Sequence, residues 1–196
     1  MGRGVPSKMT TFLFYSFTSA ATRPNSKAEI LFTALRKNHF PEAGDETERN
    51  LAVARREGFA NLTEQTKMSL MMSGLYCLLD EDKSIISVAV MKNTTLMRII
   101  TMPKHRHKGY ASVLIQHIAE KVRESGCPCM WSPVAPYVVP LFEKLGWVQV
   151  GTHSTDGCLD WCPPWSVAVY GQRRAWEPQQ WILHLLMTMP RATPTP

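Results

Sequence analysis

The run Thr94-Thr95-Leu96-Met97-Arg98-Ile99-Ile100-Thr101-Met102-Pro103-Lys104-His105-Arg106-His107-Lys108-Gly109-Tyr110-Ala111 decides how the chain is read. Its β-branched and apolar first half reads as a strand, Thr94 to Met102. Pro103 to Lys108 then forms a loop with two lysines, one arginine and two histidines and no acid. From Tyr110 the period changes: Ala111, Leu114, Ile115, Ile118, Ala119 and Val122 share one helical face, with Gln116, Glu120, Lys121 and Glu124 opposite. Gly126 can close this helix from a left-handed conformation, and Pro128 cannot continue it. A strand that feeds a glycine-containing cationic loop at a helix start is a physical anion site. The first helical N–H groups lack internal partners, and the aligned peptide dipoles add partial positive charge. Gly109 allows close backbone approach, Ala111 keeps the next turn uncrowded, and Arg106 and Lys108 bring full charges. The dinucleotide pattern G-x-G-x-x-G and the P-loop pattern are both absent. A solvated basic surface is the plainer reading of such a charge run, so its surroundings matter.

Upstream, Gly74 to Leu79 and Ile85 to Met91 are apolar runs joined by Asp80-Glu81-Asp82-Lys83, the pattern of a hairpin. Before them, Lys27 to Asn38 and Thr47 to Gly58 read as helices, with Asp45 and Glu48 spaced to cap the second. Met9 to Phe17 reads as a first strand. The acid-free first 28 residues also resemble a weak signal or transit segment, but the apolar stretch is short and diluted by Tyr15 and Ser16, and the strand is preferred. Downstream, Cys129 to Ser132 is expected as a short strand and Pro136 to Leu145 as a helix ended by Gly146. Trp147 to Gly151 and Trp165 to Gly171 are expected as strands, and Trp181 to Met189 as a last helix or strand. The expected organisation is a flexible leader over 1–8, a single domain over 9–189 and a flexible tail over 190–196, without internal repeats.

Length and composition agree with one α/β domain: 196 residues, 44% hydrophobic and 19% charged. Disordered and fibrous classes are excluded by that balance. No apolar run reaches the roughly 18 residues of a membrane span. Five cysteines without a dense framework of even spacings point to a reducing compartment, read as cytoplasmic. Cys127-Pro128-Cys129 and Cys158 with Cys162 do not have the spacing of common zinc sites, so no metal is expected. The net charge of +6 is unevenly distributed: nine acids lie between Glu42 and Asp82, and the loop after Pro103 has none.

Arg106-His107-Lys108-Gly109-Tyr110-Ala111 resembles the R/Q-x-x-G-x-G/A loop of the GNAT N-acetyltransferase superfamily. Pro140-Leu141-Phe142-Glu143-Lys144-Leu145-Gly146-Trp147 is similar to the same family's helix-to-strand segment, in order and at its spacing. The resemblance covers about residues 94–151. It implies a mixed, mostly antiparallel central sheet of six to seven strands flanked by helices on both faces. It also implies acetyl-CoA as cosubstrate, held by Ile100, Thr101, Met102, Arg106, His107, Lys108, Gly109, Tyr110, Ala111 and Phe142, and an acetyl group passed to a primary amine by direct attack on the thioester.

Such a transfer needs a neutral amine, although a lysine-like ammonium has a pKa of about 10.4. It also needs a donor for the oxyanion, for which a backbone N–H near Thr101 is the candidate, and an acid helps the leaving thiolate. Many relatives place a tyrosine acid where this chain has Phe142, which donates no proton. The positions of the usual base correspond to Thr95 and Met97, and that of a frequent asparagine to Ala135. Tyr137 is the leading substitute acid; Tyr76, Tyr170, His153, Asp156 and Asp160 are the others, each with the plainer reading of a packed ring or a solvated loop side chain. Glu42, Asp45, Glu46 and Glu48 are candidates for drawing in a cationic acceptor, small molecule or protein amino group. A CoA-binding module with weak or no catalysis is the alternative; a basic nucleic-acid-binding domain lacks an aromatic–basic recognition motif.

Overall fold

The computed structural model describes residues 10–17, 26, 30–31, 33–34, 52–54, 56–64, 66–67, 73–127, 129–152 and 157–167. The chain gathers into two compact units that divide between Ile115 and Gln116. The first contains a four-stranded antiparallel sheet in the order β1 (Thr11–Ser16), β2 (Gly74–Leu79), β3 (Ile85–Lys92), β4 (Thr95–Thr101). β2 and β3 are buried along nearly their whole length, which is why they read as continuous apolar runs instead of alternating ones. Leu75, Cys77 and Leu79 of β2 and Val88 and Val90 of β3 fall at period two and build one core with Phe17, Ala54 and Leu62. Ile100 and Met102 pack against that core from the end of β4.

The hairpin at Asp80 forms as expected. Lys83 N–H donates to Asp80 O at 3.0 Å, Ser84 N–H donates to Asp80 Oδ1 at 2.8 Å, and Lys83 takes a φ of 60°. Between β3 and β4 the register slips: Val90 faces Arg98, but Met91 faces Leu96, leaving Met97 as an extra residue on β4. This bulge explains why Met97 and Arg98 are both exposed in succession.

Helix α1 (Tyr110–Glu124) runs across the division between the units. It closes as the sequence implies: Gly126 has φ +77°, its N–H donates to Arg123 O at 3.0 Å and Cys127 N–H donates to Val122 O at 3.3 Å.

The second unit contains a three-stranded antiparallel sheet in the order β5 (Ser132–Val134), β7 (Leu159–Cys162), β6 (Val148–Thr152). Four expectations shift here. The strand expected at Cys129 to Ser132 begins only at Ser132, because both main-chain groups of Met130 are taken by the buried Ser166 hydroxyl: it accepts from Met130 N–H at 2.9 Å and donates to Met130 O at 2.7 Å. The helix expected from Pro136 starts as a 3-10 turn (Pro136–Val138) before α2 (Val139–Lys144), since Pro140 has no N–H to offer Pro136 O. The expected strand Trp165 to Gly171 starts as a 3-10 turn over Pro164–Ser166, closed by Ser166 N–H to Pro163 O at 2.9 Å, and its residues from 168 lie outside the described ones. Finally, the stretch read as a loop before that strand supplies β7, the central strand of this sheet.

The helix expected at Lys27 to Asn38 is helical at Ile30, Leu31, Thr33 and Ala34, and that at Thr47 to Gly58 at 52–54 and 56–57. The leader over 1–8, Trp181 to Met189 and the tail over 190–196 lie outside the described residues. The chain is thus a mixed α/β protein with seven described strands, all paired antiparallel.

Candidate functional site

β4 is the outermost strand of its sheet among the described residues, so alternate main-chain groups along it face away from β3. The direction at each residue follows from one bond at the strand's end. Met102 N–H donates to Ile86 O at 2.9 Å, so Met102 and Ile86 form a hydrogen-bonded pair, and alternation makes Thr101 and Ser87 a non-hydrogen-bonded one. In such a pair side chains come closest, and the Ser87 and Thr101 hydroxyls are 3.0 Å apart. The N–H and C=O of Thr101 therefore point off the open side of β4. The carbonyl accepts Arg106 Nε–H at 3.3 Å.

From Thr101 the chain tightens into a 3-10 turn (Pro103–His105), with His105 N–H donating to Met102 O at 2.8 Å and Arg106 N–H to Pro103 O at 3.3 Å. His107 then takes φ 60° and Gly109 φ 85°. A Cβ at Gly109 would meet nothing within 4 Å. The first helical bond of α1 is Val113 N–H to Gly109 O at 3.2 Å. Before it, the N–H groups of His107 and of Gly109 to Ser112 meet no acceptor among the described residues, Lys108 N–H closes the turn through Arg106 and His107, and the first turn of α1 carries no acid. Successive free amides at left-handed turns beside a helix start form an anion-binding concavity. Lys104, Arg106, His107 and Lys108 are exposed around it, and Tyr110 and Ala111 are half-buried.

His105 is the loop residue that sequence reasoning passed over. Its ring stands edge-on to Tyr110 with centroids 5.8 Å apart, and its Nε2 is buried without a hydrogen-bond partner. That burial, and then the charges of Lys104 and Lys108, hold the imidazole below its ordinary range against the pull of Asp80. Buried atoms inside a basic loop were the only available signal, and a sequence does not display them.

The other candidates belong to other places. Phe142 is buried at 2% exposure, edge-on to Trp147 at 5.0 Å. Gly146 N–H donates to Glu143 O and Trp147 N–H to Phe142 O at the end of α2, so the ring pair is the apolar contact that accompanies this type of helix stop. Tyr137 is 87% exposed on the turn before α2. Tyr76 lies on β2, its ring tilted against that of Phe14 with centroids 4.6 Å apart. Asp160 is a buried residue of β7 and not a loop side chain. Thr95 is buried, Met97 exposed on the bulge, and Ala135 precedes the 3-10 turn. His153, Asp156, Tyr170, Glu42, Asp45, Glu46 and Glu48 lie outside the described residues. No helix among the described residues is long and apolar enough to cross a membrane.

Among solved structures, mutant forms of the spermidine/spermine N-acetyltransferase SpeG from Vibrio cholerae share 16% identity over 84% of this chain and 98% of theirs, with a TM-score of 0.52. The alanine N-acetyltransferase of a ribosomal protein from Escherichia coli shares 17% over 81% of this chain and 95% of its own, at 0.45. Nourseothricin acetyltransferase shares 19% over 46% of this chain, at 0.39, and the match spans 63% of that enzyme, less than two thirds of its length. No curated protein sequence matches the chain. The sequence pattern of the acetyltransferase (GNAT) family matches residues 45–147, just over half of the chain and all of the β2 to α2 region that holds both motifs; the chain belongs to that family.

Proposed function

We propose that the chain is an acetyl-CoA-dependent N-acetyltransferase that passes the acetyl group to a primary amine by direct attack on the thioester, with residues 9–189 working as one domain. The observation that carries this reading is that the N–H groups of His107 and of Gly109 to Ser112 meet no acceptor among the described residues, in a loop turned by left-handed His107 and Gly109. A Cβ at Gly109 would meet nothing within 4 Å, which supports an approach of the diphosphate from that side. Of the amides expected over residues 106–111, those of His107, Gly109, Tyr110 and Ala111 would hold the diphosphate, Arg106 N–H being used on Pro103 O, with the Arg106 and Lys108 side chains adding charge. Arg106 also donates to Thr101 O, so it ties the loop to the strand end. Ile100, Thr101 and Met102 would line the pantetheine arm, and Thr101 N–H, aimed off the open side of β4, would donate to the oxyanion formed when the amine adds to the thioester carbon. Collapse expels the thiolate, whose modest basicity makes an acid useful and not essential. Tyr137 is proposed as that acid on its chemistry, and Phe142 as a shaping residue of the cofactor-binding segment. The acceptor is a small-molecule or protein amine, and nucleic acid is not part of the reading.

Free-CoA release measured with a panel of amines, peptides and polyamines tests this, together with calorimetry of CoA binding. Amine-stimulated release is the expected result. Binding without stimulation by any amine would instead favour a CoA-binding module, the reading that the buried phenyl ring of Phe142 at the family's acid position supports.

A further inference from the structure

β3 is apolar along its buried length except at Ser87, which is fully buried. A hydroxyl in that setting carries a desolvation cost unless it is bonded. Ser87 Oγ–H donates to Ile100 O at 3.0 Å, and its oxygen lies 3.0 Å from Thr101 Oγ1. Because that one proton is used on Ile100 O, the Thr101 hydroxyl is the donor in the second bond. Ser87 thus grips two neighbouring residues of β4 from the inner side of the ladder.

The grip falls on one particular peptide unit. The carbonyl of Ile100 and the N–H of Thr101 belong to the same planar amide and point in opposite directions. The ladder already turns this carbonyl toward Val88 of β3 and the N–H toward the open side of β4, and the Ser87 hydroxyl adds a second bond to the same carbonyl. A hydrogen bond to an amide oxygen also polarises the amide, and makes its N–H a stronger donor. Thr101 Oγ1 adds a side-chain tether to the same residue, and Arg106 Nε–H holds the following carbonyl. The amide's own carbonyl is bonded, the Thr101 side chain and the next carbonyl are tethered beside it, and its N–H is left pointing outward.

We propose that Ser87 is a positioning residue: from the buried strand β3 it braces and polarises the Ile100–Thr101 amide, whose N–H serves the oxyanion in acetyl transfer. This rests on the acetyl-transfer reading above. Ser87 touches no reacting atom, so its effect is expected on kcat, with little effect on diphosphate binding at residues 106–111.

The test compares wild type, Ser87→Ala and Ser87→Thr in kcat and KM for acetyl-CoA at saturating amine, with CoA affinity by calorimetry. Ser87→Ala is expected to lower kcat about tenfold, a fraction of the 10²–10³ that loss of an oxyanion donor costs, with the Kd for CoA within about twofold of wild type. Ser87→Thr, which keeps the hydroxyl, is expected to recover most of the loss. If Ser87→Ala does not fold, Ser87→Cys, nearly isosteric but a weak donor, takes its place with the same expectation. An unchanged kcat beside an active wild type overturns this proposal alone, as does a kcat loss matched by an equal loss of CoA affinity. A wild type that binds CoA but acetylates no amine overturns the acetyl-transfer reading, and this proposal with it.

Discussion

Gly109 and His105 show two ways in which single residues shape the loop. Gly109 sits at φ 85°, where an L side chain costs roughly 1–2 kcal/mol, and the space a side chain would enter is the space proposed for the diphosphate. Gly109→Val is therefore expected to weaken CoA binding at least about tenfold by calorimetry while the protein stays folded, since no protein atom is struck. Undiminished CoA affinity in that variant would remove the loop from the site. His105 makes a pH prediction. Its folded pKa is lowered, by burial first and by Lys104 and Lys108 next, so the unfolded chain takes up the proton more readily. Stability is full above the ordinary imidazole pKa of about 6.5 and falls as the pH drops below it toward the lowered value. His117 moves in the same direction, through burial and Lys121 against Glu120 and Glu124. In urea unfolding between about pH 7 and 5, His105→Gln is expected to flatten part of the acid slope and leave the His117 part; a curve parallel to wild type would contradict this.

At the level of elements, the two helix stops repeat one device. Gly126 ends α1 and Gly146 ends α2, each with its N–H bonded three residues back and the next residue's bonded five back. At the second stop Phe142 and Trp147 close the motif with their rings, so the family segment around Glu143 and Lys144 is legible as helix-stop physics as well as resemblance. Phe142→Ala is expected to destabilise the protein by about 3–5 kcal/mol in denaturant unfolding, the range for a buried phenylalanine. A cost below about 1 kcal/mol would show that the ring pair does not hold the turn. Elements with a clean local signature, such as the hairpin at Asp80 and the face of α1, were legible. Those displaced by a distant bond were not: Ser166 removes Met130 from the ladder across 36 residues, and no local pattern announces it.

Across the whole molecule, all five cysteines are free thiols, and Cys77, Cys127, Cys129 and Cys162 are buried while Cys158 is half-buried. Burial pushes the Cys77 thiol up to about 12, and burial with the neighbouring Cys129 pushes Cys127 up to about 11. Since the thiolate is the reactive form, a thiol reagent at neutral pH is expected to titrate about one cysteine rapidly in the native protein, Cys158, and five after denaturation. Rapid reaction of several native thiols would count against the packing described. The course of the loop after β4 was readable from the chain alone, because its physics is local: a strand, a proline, a cationic turn, a glycine and a helix start are consecutive in sequence. Strand period and helix face were fixed in the same way, by side-chain order. Only the tertiary structure decided which amide faces the open side of β4, that Ser87 holds it, that His105 is desolvated and that Asp160 lies in a central strand, because each depends on partners brought together from separate segments of the chain.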